Sequence, residues 1–430
     1  SIAGLGWNLN IGGVINRIVR DEPDEMNNGV LFPEEEIHEA GIHSPMALDY
    51  FKMAGENGVD TEVDLYSYNF MGYSGSFIFD SKHNLIKLTD NDLRIVSYNN
   101  EDISGYKIIS AEGVQYIFSE QELTRNRASG GGVHPESNFY TTAWYLSEII
   151  DTKGAHIYFD YESYGYNYEL SKSETITVAT PLYQAGCSGS GATGPGYTKG
   201  PVITNTLTVS GKRLVKIRGN KPSSGVVDIA YGISHPEVTS YDMVSSISLV
   251  NSNNSAVENF NFEYLLTANK RVFLSKITER DPNKFYTFAY NDPEGLVSRL
   301  SKAQDHWGYY NGKNSNINYF PNPSNLNNPS IPSELSYFNI GADKSADSSF
   351  NVKGMLEKVY YPTKGYTQLE YESNSYNGEI TSNPPEAQLY LQLATNMDQI
   401  GEGYSEQGII PEVPYGLLEY GYKNQGEVGT

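Results

Sequence analysis

The chain has 430 residues and a formal net charge of −22, from 52 acidic against 30 basic side chains. Thirty-five Tyr and 41 Gly, with abundant Asn and Ser and few strong helix formers, argue against a helical protein. No cluster of Lys and Arg offers a phosphate-binding surface, and no apolar run approaches the roughly 20 residues of a membrane-spanning helix, so neither nucleic acid nor a membrane span is expected.

The sequence begins at Ser1 without an initiator Met and reads at once as a strand pair, so a fragment of something longer is expected. Leu5, Trp7 and Leu9 alternate with Gly6 and Asn8, Gly12-Gly13 turns the chain, and Val14–Val19 returns. Residues 22–60 form an acidic loop with one short helix predicted at Pro45–Ala54. Residues 64–80 then alternate Tyr and Phe in a strand pattern.

A hairpin unit recurs from there. Residues 146–161 (LSEIIDTKGAHIYFDY) and 356–371 (LEKVYYPTKGYTQLEY) share an opening Leu, a Thr-Lys-Gly turn and a closing Tyr. Residues 214–231 and 274–290 repeat the scheme with longer turns, and 106–120 carries it with Ala-Glu-Gly. Such hairpins are marginal alone and should stack into one sheet, with Leu146, Leu214, Leu274 and Leu356 on a common face. Phe159, Leu369 and Trp307 should be buried, and residues 311–350 are the best candidate to cover the apolar stripe. Matching turns predict positive φ at both Gly154 and Gly365.

Inserts decorate this scaffold. Residues 1–172 read as an N-terminal β region, 173–210 as a Gly/Ser/Pro-rich excursion, and 211–380 as repeated hairpins with the Asn/Ser/Pro-rich insert 311–350. Residues 381–430 are poorly patterned, with a helix predicted at Gln388–Asp398. The fold class is all-β: stacked antiparallel hairpins in an extended curved sheet, with long loops and few short helices.

Chemistry is sparse. Gly189–Gly194 fits G-x-G-x-x-G, but Pro195-Gly196 follows where a dinucleotide site needs a helix, so it reads as a loop. Asp21, Asp24 and Glu25, with Glu22 and Asn27, gather the oxygens that calcium takes, without EF-hand spacing; they read as a solvated acidic loop. Seven scattered His and the lone Cys187 form no zinc pattern, and no G-x-S-x-G frames a nucleophile. Asp292-Pro-Glu-Gly-Leu296 reads as a turn. No cofactor, metal or catalytic activity is expected. The aromatics read chiefly as cross-strand packing, with sugar binding as the alternative.

Four stretches carry a family resemblance. Residues 4–25 (GLGWNLNIGGVINRIVRDEPDE), with Gly4, Leu5, Gly6, Trp7, Gly12 and Gly13, resemble the opening of RHS/YD-repeat proteins of Bacteroidota. They are also similar to the openings of the toxin-complex B component and SpvB-type proteins. Residues 64–80, 111–118 and 305–313 (DHWGYYNGK, with Asp305, Trp307, Gly308, Tyr309 and Tyr310) resemble further family segments in the family's order. Tyr161-Glu162 and Tyr371-Glu372 depart from the Tyr-Asp of regular repeats, so the region resembles that upstream of them. The resemblance implies a β-sheet shell segment of a large secreted or cell-surface protein, which packages or presents a C-terminal effector, with secretion or surface-anchoring machinery as possible partners. A surface adhesin or glycan-binding module using exposed aromatics is the alternative expectation.

Overall fold

The computed structural model describes residues 3–20, 22–25, 41, 43–55, 60–80, 82–98, 105–131, 138–179, 196–253, 255–322, 340–372, 388–393 and 404–409. Asp21, Cys187 and the Gly189–Gly194 motif lie outside them. The chain divides into a unit of residues Ser1–Tyr371 and a second of Glu372–Thr430.

The first unit is built on one antiparallel sheet of 17 strands, so the all-β reading holds. β1 (Gly13–Ile18) pairs on one side with β2 (Leu65–Phe70) and on the other with β8 (Tyr140–Ile150). β2 continues to β3 (Tyr73–Phe79) and β4 (Leu85–Lys87); β5 (Arg94–Tyr98) and β6 (Gly105–Ile109) lead to β7 (Gln115–Ser129). β7 pairs with β8 along its first part and with β12 (Ile203–Gly219) along its second. β9 (His156–Ser173) pairs with both β8 and β12, so the sheet branches there. From β12 it runs as a simple ribbon through β13 (Val226–Ser234), β14 (Asp242–Val250), β15 (Ala256–Leu266), β16 (Val272–Thr278), β17 (Phe285–Tyr290), β18 (Leu356–Tyr360) and β19 (Tyr366–Gln368). A separate pair, β10 (Ile176–Ala179) and β11 (Gly196–Lys199), flanks the excursion.

The core lies where the early strands meet the first hairpins. Tyr66, Phe70, Phe77, Tyr106, Phe118 and Trp144 are fully buried there, with Leu146, Phe159, Leu214, Ile229 and Val244. The rings touch edge-on or tilted, as Tyr106 and Trp144 do at 5.1 Å, and Tyr66 stacks on Phe77 at the same spacing. In the first hairpins this apolar face is covered by the N-terminal strands, and the described part of 311–350 takes no part in that cluster. Residues 323–339 of the expected cover lie outside the described residues. Gly13 has a steric reason to be glycine: a Cβ there would sit 2.3 Å from the Cβ of Phe70.

Two local expectations change and one holds. Residues 5–9 are not a strand: Gly4 and Gly6 adopt positive φ, and Trp7 N–H bonds to the Gly4 carbonyl in a tight turn. The helix Pro45–Gly55 forms as expected. The helix predicted at Gln388–Asp398 is a strand instead: β20 (Gln388–Leu393) pairs antiparallel with β21 (Tyr404–Ile409) in the second unit. Leu389, Leu391 and Leu393 fall at every second position there, which is strand periodicity, whatever the helix propensity of Leu and Gln.

Candidate functional site: a tyrosine ladder through the hairpins

The recurring unit has a side-chain cause. Each closing tyrosine donates its hydroxyl to the backbone carbonyl of the residue that opens its own hairpin. Tyr161 bonds to Leu146 at 2.9 Å, Tyr231 to Leu214 at 2.8 Å and Tyr290 to Leu274 at 2.7 Å. Tyr371 bonds to Leu356 at 2.6 Å. A further copy went unread in the sequence: Tyr264 bonds to the Val244 carbonyl at 2.9 Å. Its opening residue is Val rather than Leu, which hid it, although Val244-Ser-Ser-Ile247 otherwise parallels Leu274-Ser-Lys-Ile277.

The register between hairpins repeats as well. The backbone of Tyr161 lies opposite Leu214, Tyr231 opposite Val244, Tyr264 opposite Leu274 and Tyr290 opposite Leu356. The residue after each opening Leu or Val is skipped by the pairing: Val215, Ser245, Ser275 and Glu357. These are β-bulges, which add local twist at the same point of every unit. Tyr161, Tyr231, Tyr264 and Tyr290 therefore each touch three strands, their own, the next through the backbone and the previous one through the hydroxyl. The result is a continuous ladder from Leu146 to Tyr371.

Burial raises the pKa of Tyr161, Tyr231, Tyr264 and Tyr290, with Tyr231 and Tyr290 pushed up to about 12. The GLGW turn joins the ladder at one rung. Trp7 Nε1 donates to the Tyr290 hydroxyl at 2.8 Å, its ring packs edge-on against Phe288, and Leu5 N–H bonds to the Val272 carbonyl. Gly12 adopts positive φ beside the ring of Phe159.

The turns follow a second rule. At Asp151–Ala155, Asp151 N–H bonds to the Ala155 carbonyl, Gly154 N–H bonds back to Asp151, and Gly154 has φ 78°. The Asp151 carboxylate also accepts the N–H groups of Lys153 and Ala155. The same five-residue turn recurs at Asp80–Asn84, Ser110–Val114 and Thr267–Arg271. It recurs again at Asp305–Tyr309, so the family-like DHWGY segment is one of these turns: Asp305 caps the N–H groups of Trp307 and Tyr309, and Gly308 takes the positive φ.

At Tyr361–Gly365 the left-handed residue is Lys364, at φ 73°, and Gly365 does not have positive φ. Both turns start five residues after the ladder leucine, at Asp151 and Tyr361. The Thr-Lys-Gly triplet is therefore offset by one between them.

Trp307 and Leu369 are exposed, contrary to expectation. Trp307 is 75 % exposed because the turn points it outward, whereas Tyr310 is buried against Phe350. Leu369 is 37 % exposed although its equivalents Phe159, Ile229 and Phe288 are at most 8 % exposed. The four leucines do share one position in the ladder; Leu356 alone is only partly buried.

The acidic residues Asp24 and Glu25 meet a buried cation. Glu25 pairs with Arg17 at 2.5 Å, Arg17 also pairs with buried Asp64, and Asp24 and Asp64 exchange backbone-to-carboxylate hydrogen bonds. Burial and the neighbouring Asp64 push Asp24 up to about 6. Burial would raise Glu25 too, but the hydrogen bond and charge of Arg17 hold it below the usual carboxylate range. No group of three metal-type side chains converges among the described residues. Asp292 caps the short turn Pro293–Gly295 and pairs with Lys353, as a structural aspartate does.

On the other part of β9, Tyr164, Tyr166 and Tyr168 stack in a row at 5.5 and 5.9 Å beside a groove of about 630 Å³. Four of its charged side chains are paired, Lys172 with Glu169 and Arg299 with Glu237.

No protein-family model and no curated protein matches the chain. Among solved structures it is similar to the crystal structure of TcdB2-TccC3, at 10% identity and TM-score 0.30, over 69% of this chain and 15% of that one. It is similar to the Photorhabdus luminescens Tc holotoxin pore, at 12% identity and TM-score 0.31, over 71% of this chain and 14% of that one. It is also similar to the N-terminal domain of the effector protein SpvB from Salmonella typhimurium strain LT2, at 10% identity and TM-score 0.27, over 65% of this chain and 89% of that domain. The chain thus spans 15% or less of the toxin-complex chains.

Proposed function

We propose that this chain is a non-catalytic scaffold: a segment of β-ribbon shell in a large secreted or cell-surface protein of the RHS kind, which packages or presents a C-terminal effector. The observation that carries the reading is the ladder. Five hairpins of one pattern, each stapled across itself by its tyrosine hydroxyl, are joined in one backbone register, which is how a sheet is extended by repetition rather than closed around a pocket. The RHS-like segments of the sequence support the same reading.

The test is to obtain the coding sequence on both sides of this region and express the whole protein. A downstream domain that resists protease until the ladder is broken by Tyr→Ala changes is the expected result. A protein without such a domain, or one whose domain is digested equally with and without the ladder, refutes it. A second reading, glycan binding, is favoured by one observation: Trp307 and Tyr309 stand exposed on a turn held rigid by Asp305. Binding to immobilised neutral oligosaccharides that disappears in Trp307→Ala would support it.

A further inference from the structure

Among the described residues the ladder ends on a rung that is half built. Tyr161, Tyr231, Tyr264 and Tyr290 each have a following strand opposite them, and Tyr371 has none among the described residues. Its hydroxyl is already in place on the Leu356 carbonyl. The inward side of this last strand is used, since Leu369 N–H bonds to the Glu357 carbonyl and the Gly365 carbonyl accepts from Tyr361. By the alternation of an antiparallel pair, the N–H and C=O groups of Tyr366, Gln368 and Glu370 point the other way, outward. Such an edge invites pairing, and proteins usually blunt it with Pro, Lys or a bulge. Residues 366–371 read YTQLEY and contain none of these.

Resting on the scaffold reading, we infer that the outer edge of residues 366–371 is a strand-acceptor site for a partner strand of the pattern Leu-x-Lys-Ile/Val, docked antiparallel with its Leu opposite Tyr371. The register comes from the four finished rungs, three of which carry this pattern; the fourth keeps the register with other side chains, Tyr231 with Val244, Ala230 with Ser246 and Ile229 with Ile247. In β9–β12 the pairs are Tyr161 with Leu214, Asp160 with Lys216 and Phe159 with Ile217. In β15–β16 they are Tyr264 with Leu274, Glu263 with Lys276 and Phe262 with Ile277. In β17–β18 they are Tyr290 with Leu356, Ala289 with Lys358 and Phe288 with Val359. At the open edge the same places are held by Tyr371, Glu370 and Leu369. Glu370 therefore selects a Lys, as Glu263 meets Lys276 at 3.3 Å, and exposed Leu369 selects Ile or Val. The site copies the interface that the chain already makes between its own hairpins.

The experiment uses the full chain and a synthetic peptide of residues 274–290, which opens Leu-Ser-Lys-Ile, with amide hydrogen exchange as the readout. At about 1 mM peptide, a concentration that half-fills a site of about millimolar affinity, the amides of Tyr366, Gln368 and Glu370 should slow at least about twofold. A peptide with Lys276→Glu should lose most of that protection, and the same Lys276→Glu peptide should regain it on a Glu370→Lys chain. No added protection overturns the inference. Protection that grows with protein concentration alone shows that a second copy fills the edge, and protection already present in dilute protein shows that the chain's own residues beyond 372 do; either overturns it. The interior rungs serve as the control: if their amides are also fast, the ladder and the scaffold reading fail, whereas slow interior rungs with an unresponsive edge refute only the acceptor site.

Discussion

Replacing Tyr161 with Phe removes one hydroxyl and leaves the ring, its packing against Tyr145 and the backbone pairing to Leu214 in place. The loss is a single hydrogen bond, from a half-buried donor to the Leu146 carbonyl at 2.9 Å. Such a bond contributes about 1 kcal/mol net, within about 0.5–1.5. Tyr161→Ala also removes a packed ring and should cost about 3–5 kcal/mol, by analogy with Phe→Ala. Neighbouring rungs share a residue: Tyr161 lies opposite Leu214, whose carbonyl accepts from Tyr231. The double variant Tyr161→Phe/Tyr231→Phe should therefore deviate from the sum of its parts, while Tyr161→Phe/Tyr290→Phe, with no shared partner, should add within about 0.5 kcal/mol. A sheet of this size need not unfold in one step, so the assay is local opening free energy from native-state hydrogen exchange at strands β8 and β9. Phe variants at 161, 231 and 290 that all match the parent within about 0.3 kcal/mol would refute the ladder as a stabilising device.

The turn rule predicts unequal glycines. Gly154→Val should destabilise by about 1 kcal/mol or more through its backbone alone, since a Cβ there meets nothing within 4 Å, whereas Gly365→Val should cost distinctly less. Lys364→Gly should be neutral to stabilising by up to about 1 kcal/mol, because relief of the left-handed backbone exceeds the entropy that Gly adds to the unfolded chain; thermal melts of the three variants order them. Alkaline pH should loosen the sheet. Tyr161, Tyr231, Tyr264 and Tyr290 ionise later when folded than the usual value near 10, so their contribution is complete below about pH 10 and is lost as pH rises through about 12 for Tyr231 and Tyr290. Tyrosinate absorbance that rises at pH 10 without any cooperative step near 12 would contradict this. EDTA should leave the melting temperature within about a degree or two, because Asp24 and Glu25 are already engaged with Asp64 and Arg17; a large drop would make them ligands.

The sequence by itself determined the Leu-opened hairpins and their repetition, though not the turn at residues 5–9, the strand Gln388–Leu393 or the Val244–Tyr264 copy. Alternation around polar turns is a local property, and Leu146–Tyr161 and Leu356–Tyr371 carry it in plain view. It also marked both ends of the tyrosine ladder, the opening leucines and the closing tyrosines, without revealing that they touch. That contact spans two strands and depends on the bulge after each Leu, which shifts the register by one residue; no spacing within a single strand encodes it. The same cause explains Gly365, because the turn is counted from the ladder residue and not from the Thr-Lys-Gly triplet. Burial was legible only where a neighbour exists. Phe159 and Leu369 occupy the same place in the repeat, but Phe159 has the β12 strand beside it and Leu369 has no strand on its outer side among the described residues. Trp7 reaches Tyr290 across 283 positions of sequence, and Arg17 gathers Glu25 and Asp64 from two different loops. Those meetings were decided by the tertiary structure alone, because the sheet had to fold back on itself before either partner had anything to bond.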